Sequence, residues 1–230
     1  MTTAQNSLIE RLPRTDRQRL LSLCEPVHLA LSDVLFVQGT PSSYAYFPVD
    51  GFISLLQQIE THPPLEVGMV GREGMLGVQL VLGVATTPLL AVVQGSGSAW
   101  RVEQNAFQHE LLQSPALQQS LNRYIYVLMA QLAASASCLR FHLIEARLAR
   151  WLLMSQDRAH SDAFHVTHEF LAHMLGIRRV GVTVAAGALQ RSGLIEYHRG
   201  ELRVLDRVGL EAAACSCYDR DKEIYRTSMH

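Results

Sequence analysis

Pro115 divides this chain into two textures that no uniform architecture can satisfy. Before it, from about residue 25 to 104, apolar residues come in short runs: Val27–Leu31, Val34–Val37, Tyr44–Pro48, Phe52–Ile59, Leu65–Val70, Leu89–Gln94 and Ser98–Val102. Turn formers punctuate them at Ser32-Asp33, Gly39, Pro41, Asp50-Gly51, Pro63-Pro64 and Gly95-Ser96-Gly97. Strands this short and this closely spaced predict an all-β barrel or jelly roll. A helical stretch precedes them at residues 7–24, its leucines spaced around Pro13. After Pro115 the apolar period becomes helical and stays so. Strands grouped first and helices afterwards predict an α+β fold. The divisions expected are a β-roll at 1–114, a central helix at 115–139 and a further domain at 140–230. With 230 residues, 48% apolar and 18% charged, the chain has material for two modest cores.

In the central helix, Leu121, Ile125, Leu128, Leu132 and Leu139 follow the 4-3-4 spacing of a coiled-coil seam, with Ser135 as the gap. Leu117 and Tyr124 widen the stripe to one side. Arg123 is the only charged residue from Leu117 to Leu139. A helix so apolar must bury more than one face, one against its own β domain and one against an identical helix. These seven residues are therefore the expected dimer interface; the alternative is a core helix of a monomer. A second helix is expected over Leu143–Met154, after a break near 138–142.

The segment from Val166 to Ile195 carries the functional signal. Thr167 suits an N-cap and Glu169 the first turn of a helix. Leu171, Met174 and Leu175 give that helix a buried face, and Ala172 is small where two helices would cross. Gly176 supplies a sharp turn, because glycine enters left-handed backbone space cheaply. Ile177 returns to the core, and Val182, Ala185 and Leu189 form the inner stripe of a second helix at roughly 179–190. This is helix-turn-helix spacing. Residues 193–205 then read as two short strands turning at Arg199-Gly200, a wing. On that geometry the second helix enters the major groove of DNA. Arg178 and Arg179 are placed to grip phosphate or guanine, and Thr183 to meet a phosphate or a thymine methyl. Gly181 would permit close approach. Thr167 and His168 could anchor a phosphate, as could Arg199 on the wing.

Bulk properties neither announce nor exclude that reading. The net charge is −1, with 7 Lys/Arg against 10 Asp/Glu in residues 1–139 and 13 against 11 in 140–230. The N-terminus mixes acids with arginines, unlike a signal peptide, and no unbroken apolar run approaches the roughly 18 residues of a membrane span. Cys24, Cys138, Cys215 and Cys217 show no disulfide framework, so a cytoplasmic location is expected. Cys215 and Cys217 are expected on one helix, pointing apart. His160, Asp162, His165, His168 and His173 lack the spacing of a metal site, so none is expected. No nucleophile–base set, Walker loop or dinucleotide glycine pattern is present, and the chain is not expected to be an enzyme.

With the wing in place, the chain resembles the Crp/Fnr family of regulators over nearly its whole length. LIERLPRTDRQRLL, VDGFISLL, VGREGMLG and LAHMLGIRRVGVTVAAGALQRSGLI fall where that family places its parts. The resemblance implies a cyclic-nucleotide-binding-like roll, a dimerisation helix and a winged helix, hence a homodimeric transcription regulator on an inverted repeat of double-stranded DNA. RNA polymerase is a further candidate partner. In relatives that bind cyclic AMP, a Gly-Glu-Leu-like turn is followed by an Arg-Ser or Arg-Thr pair. Here Gly71, Arg72, Glu73 and Gly74 match the first part, but Thr86 and Thr87 stand where the pair should fall. No basic residue occurs from Glu73 to Gln94. Cyclic AMP is therefore not expected, and these six residues are a candidate pocket for another small-molecule effector or for none. Cys24 stands alone near the N-terminus, so an iron–sulfur cluster is not expected either. The recognition helix has Arg179-Val180-Gly181 and Val184 where many relatives carry Arg-Glu-Thr and a second arginine, so the familiar operator does not carry over. The rival readings are a ligand-sensing module whose helix-turn-helix binds protein and, more distantly, a β-barrel enzyme.

Overall fold

A computed structural model describes residues 5–159 and 161–230. Pro13 splits the N-terminal apolar segment into α1 (Ser7–Glu10) and α2 (Arg14–Leu23), since it cannot donate the bond a continuous helix needs. Buried Asn6 caps α1, and its amide donates to the carbonyls of Pro48 and Gly74 at 2.8 and 2.9 Å. Seven strands follow: β1 (Cys24–Leu29), β2 (Val34–Phe36), β3 (Tyr44–Pro48), β4 (Phe52–Gln57), β5 (Leu65–Val70), β6 (Leu90–Gly95) and β7 (Gly97–Glu103). A short helix, α3 (Val78–Val81), separates β5 from β6. The strands pair antiparallel in two sheets, ordered β1-β7-β3 and β2-β6-β4-β5.

The two sheets exchange chain at one corner. The turn after β3 meets the turn before β7, and Gly51 there has φ +70°. A Cβ on Gly51 would lie 2.3 Å from the carbonyl oxygen of Gly95, so only glycine fits. Beyond the corner β4 is buried from Phe52 to Leu56 because both its faces are covered. Ile53 and Leu55 point into the roll with Phe36, Val70 and Val93. Phe52 and Leu56 point outward with Met69, into the core of the C-terminal half.

α4 (Gln104–Gln113) has no counterpart among the elements that the spacing predicts; Glu103 caps it. α5 (Pro115–Phe141) begins at a Ser114 cap with proline at its first turn. Four of the residues expected at a dimer seam are enclosed by the chain itself, which corrects that expectation. Leu117, Leu121, Tyr124 and Leu128 are buried. The leucine stripe is the largest apolar surface on α5, and the protein's own core takes it. Tyr124 presses on the turn after β5 so closely that a Cβ on Gly74 would lie 1.9 Å from its hydroxyl. Ile125, Leu132 and Leu139 are half-buried. The face left outward carries Tyr126, Met129, Ala133, Ala136 and Arg140, in the same 3-4 spacing but a different register. By length and composition alone α5 would suit a bilayer, although no unbroken apolar run in it reaches that length. Its leucines pack within the protein instead.

α6 (Ile144–Ala159) follows a break at 142–143 and carries three buried arginines with three different partners. Arg147 donates to the carbonyl of Leu175, Arg150 pairs with Asp221 at 2.6 Å, and Arg158 pairs with Glu73 at 2.8 Å. Next come β8 (Ala163–His165), α7 (His168–Leu175), α8 (Arg179–Arg191), β9 (Ile195–His198), β10 (Glu201–Val204) and α9 (Arg207–Ala213). The three strands form a sheet ordered β8-β10-β9. The last helix, α10 (Cys217–Ser228), lies mainly along α5, with Tyr218 near its start in the core of the C-terminal half. The Tyr225 hydroxyl donates to the carbonyl of Glu73 at 2.9 Å, Arg11 donates to the carbonyl of Met229, and Met229 is buried in the N-terminal core. Residues 217–230, placed by the sequence with 140–230, thus contact the N-terminal core and α5 as well as α6.

Glu66 on β5 is a further joint between the halves. It accepts from the Ser54 hydroxyl at 2.5 Å and from the Trp151 indole of α6 at 2.9 Å. Burial pushes its carboxyl up to about 7 from an ordinary 4.5. The folded state then holds this proton more tightly than the unfolded chain does. Stability from the group is full below about 4.5 and is lost as pH rises to 7, by up to about 3 kcal/mol. Glu66→Gln keeps an acceptor for Trp151 and carries no charge. Urea denaturation should show it more stable than the parent by about 1–3 kcal/mol at pH 8 and nearly equal at pH 5.

Candidate nucleic-acid interface

Thr167 caps α7, its hydroxyl accepting from the Phe170 amide at 3.1 Å. Gly176 ends the helix with φ +61° and ψ +42°, and the Ile177 amide closes the turn on the Ala172 carbonyl at 2.9 Å. Leu171, Ala172, Leu175, Val182, Ala185 and Leu189 then meet Leu148 and Leu152 of α6 in one core. Burying that stripe fixes which face of α8 is left outside. Arg178, Arg179, Val180, Thr183 and Val184 are all exposed, the two valines by 66% and 65%. Val180 and Val184 were not among the expected site residues. Their position was legible, since they lie opposite Val182, Ala185 and Leu189 on the same helical period.

The expected contacts behave differently from one another. Arg178 and Arg179 stand free at the start of α8. Arg199 has φ +51° and Gly200 +90°, a two-residue hairpin turn that holds Arg199 outward. Thr183 is already engaged: its hydroxyl meets Nδ1 of His168 at 3.0 Å and donates to the Arg179 carbonyl at 3.2 Å. His168 in turn stacks on Tyr197 with centroids 4.8 Å apart, and the Tyr197 hydroxyl donates to the Val166 carbonyl at 2.7 Å. Burial, and then the nearby Arg179, hold the His168 imidazole below its ordinary pKa, so it is neutral at pH 7. His168 thus joins α7, α8 and the wing rather than standing ready for a phosphate. Gly181 is half-buried. A Cβ there would lie 3.2 Å from Ile144 and 3.5 Å from Ile177, so α8 comes close to the start of α6 at this position.

The candidate effector residues fall into two separate settings. The Gly71–Gly74 turn is closed by its own and neighbouring side chains. Glu73 accepts from the Gly71 amide at 3.2 Å and from Arg158 at 2.9 Å, and Tyr124 covers Gly74. A cavity of about 320 Å³ beside it is lined by Arg72, Glu73, Asp157, Arg158, Tyr218 and Tyr225 among others, but not by Thr86 or Thr87. Thr86 bridges to Pro41, and Thr87 is buried with its carbonyl accepting from Gly39. The turn therefore faces α5, α6 and α10.

Of the histidines grouped in sequence, His165 pairs with Glu201 at 2.6 Å, and Asp162 accepts from Gln156. His160 lies outside the described residues. The cysteines depart from expectation. Cys215 precedes α10 and Cys217 is its first residue, so they do not share a helix, and both come together with Cys138 and His142.

Residues 146–213 match the Crp-like helix-turn-helix domain family. A Crp/Fnr-family transcriptional regulator of Thermus thermophilus is similar in structure, with a TM-score of 0.68 at 24% identity, covering 83% of this chain and 98% of its own. A Crp/Fnr-family protein from Eubacterium rectale gives a TM-score of 0.70 at 14% identity, covering 90% and 96%. The regulator CLP of Xanthomonas campestris, described as responsive to c-di-GMP, gives 0.62 at 18%, covering 84% and 100%. Comparison with curated protein sequences gives no match. These likenesses establish the fold of the whole chain and the family of its helix-turn-helix domain.

The joint under α8 can be measured directly. In a double-mutant cycle of Thr183→Val and His168→Phe, which keeps a ring on Tyr197, thermal denaturation should give a coupling of about 1 kcal/mol. Additive losses would mean that the two side chains are not bonded.

Proposed function

Because the chain carries a Crp-like helix-turn-helix domain within the Crp/Fnr fold, we propose that it is a DNA-binding transcriptional regulator that lays α8 in the major groove. The observation that carries this reading is the outward face of α8, with two free arginines at its start and two bare valines behind them. Arg178 and Arg179 neutralise phosphate or read guanine, and Val180 and Val184 offer apolar contact to thymine methyls. Thr167 and Arg199 flank them as phosphate contacts on α7 and on the wing. Fluorescence anisotropy with promoter fragments tests the assignment. Arg178→Ala with Arg179→Ala should weaken binding at least tenfold and flatten the slope of log K against log salt by about 1 for each phosphate no longer neutralised. Val184→Ala should leave the slope unchanged and alter sequence preference. If the double arginine variant bound DNA as the parent does, α8 would not be the reading helix. A protein that retarded no DNA at low salt would favour the ligand-sensing module instead.

The regulator on this reading is a cytoplasmic homodimer, joined not by the leucine stripe but by the outward stripe of α5. Tyr126 and Met129, 61% and 64% exposed, head a row continued by Ala133 and Ala136. A two-fold axis along that row pairs like with like and sets two copies of α8 about one DNA turn (~34 Å) apart. Met129→Glu should shift the mass seen by sedimentation from a dimer to 25.6 kDa without loss of helix signal. Leu121→Glu should unfold the chain instead, because Leu121 is fully buried in its own core. An effector, on the same reading, acts at the cavity beside Glu73 and Arg158, where the roll meets α6.

A further inference from the structure

Cys138 sits on the last turn of α5 and His142 four residues on, at its C-cap, so both project from one side of the helix end. Across from them, the chain breaks between α9 and α10. Ala214 is extended at φ −70° and ψ +156°, and Ser216 returns to helical angles at φ −55° and ψ −13°. That break is what lets Cys215 and Cys217 turn the same way, which a continuous helix would forbid. The Sγ atoms of Cys138 and Cys215 are 3.5 Å apart, and Cys217 Sγ is 3.5 Å from His142 Nδ1. All four donor atoms lie within 4.8 Å of one another.

We propose that Cys138, His142, Cys215 and Cys217 form a Cys3His site for a tetrahedral divalent cation of the zinc class, fastening the α5–α6 junction to the head of α10. With metal–sulfur bonds of about 2.3 Å and a metal–nitrogen bond of about 2.0–2.1 Å, a tetrahedron has sulfur–sulfur edges of about 3.8 Å and sulfur–nitrogen edges of about 3.6 Å. The observed separations bracket those edges, so an ion needs only side-chain adjustment to be seated. Three sulfurs and an imidazole are soft donors that favour zinc over magnesium or calcium. The three cysteines are buried, at 2%, 7% and 7% exposure, and the four donors complete a tetrahedron with no position left for substrate. That is the character of a structural site rather than a catalytic one.

The surroundings suit the charge such a site would carry. Three thiolates around a dication, with neutral histidine, leave one net negative charge. The buried guanidinium groups of Arg147 and Arg150 are within electrostatic reach of Cys138 and Cys215, and both line the same cavity as Cys138. The Cys215 amide is bonded to the carbonyl of Ala146 at 3.3 Å, which holds the loop against the first turns of α6 before any ion arrives. Cys24 lies elsewhere, half-buried at the start of β1, where burial pushes its thiol up to about 12.

The test is metal content of the full chain, reduced and reconstituted with zinc, measured by elemental analysis. One zinc per chain is expected, and cobalt in its place should give the intense visible bands of a tetrahedral ion with thiolate-to-cobalt charge transfer. In chelator competition, Cys217→Ser and His142→Ala should each weaken zinc by more than about a hundredfold, beyond what loss of a mere supporting contact costs, while Cys24→Ser changes nothing. Three results would overturn the proposal: no zinc taken up by the reduced chain, cobalt bands of an octahedral ion, or variants that hold zinc as tightly as the parent. Should the variants fail to fold, the cobalt spectrum of the unaltered chain decides.

Discussion

Arg158 reaches from α6 into the turn after β5, and its ion pair with Glu73 sets how the two halves of the molecule meet. A buried pair of this kind is weak glue, because removing both charges from water costs nearly what their attraction returns. It is a strict register all the same. Shifting α6 along the roll would leave a buried guanidinium facing no carboxylate, at a cost of several kcal/mol. The other two buried arginines of α6 extend the same logic. Arg147 ties the helix to the end of α7, and Arg150 ties it to α10. One helix thus indexes the roll, the helix-turn-helix and the last helix against one another, each through its own arginine. Apolar packing of Phe52, Leu56 and Met69 supplies the adhesion, and the arginines supply the alignment.

What could be read from the sequence was what local backbone chemistry dictates. Gly176 had to be left-handed, Thr167 had to cap, and Arg199-Gly200 had to turn, since each follows from a few neighbouring residues. Strand positions such as Tyr44–Pro48 and Leu65–Val70 followed from their punctuation. What could not be read was which partner a surface would choose. The leucine stripe of α5 announces burial, but the same stripe serves a dimer seam or a chain's own core, and only the fold shows that the core takes it. Gly181 is similar, since nothing in the sequence signals that Ile144 lies beside it. Contacts far apart in the chain leave no periodic trace at all. Glu73 and Arg158 are 85 residues apart, and Cys138 and Cys215 are 77.

The outward face of α8 also bears on how such a helix would choose its site. On the proposed reading two arginines at one end would grip the phosphate backbone, while much of the exposed surface behind them is valine. Hydrogen-bonding side chains of the usual reading set are absent from that stretch of α8, and Thr183 is drawn inward by His168. Discrimination by such a face leans on methyl groups and on the fit of a smooth apolar ridge against the groove.

The path of the chain has a mechanical consequence. The polypeptide leaves the first half at His142 and returns to it at Cys215–Cys217, and those two crossings lie side by side. The winged helix is therefore an excursion pinned where its two ends meet and packed on the roll through Phe52, Leu56 and Met69, not a bead at the end of a string. Were that packing to part, rotation about the paired crossings would be the freedom left, with displacement growing with distance from them. The Glu66–Trp151 and Glu73–Arg158 contacts then act as end-stops that select one angle from the arc.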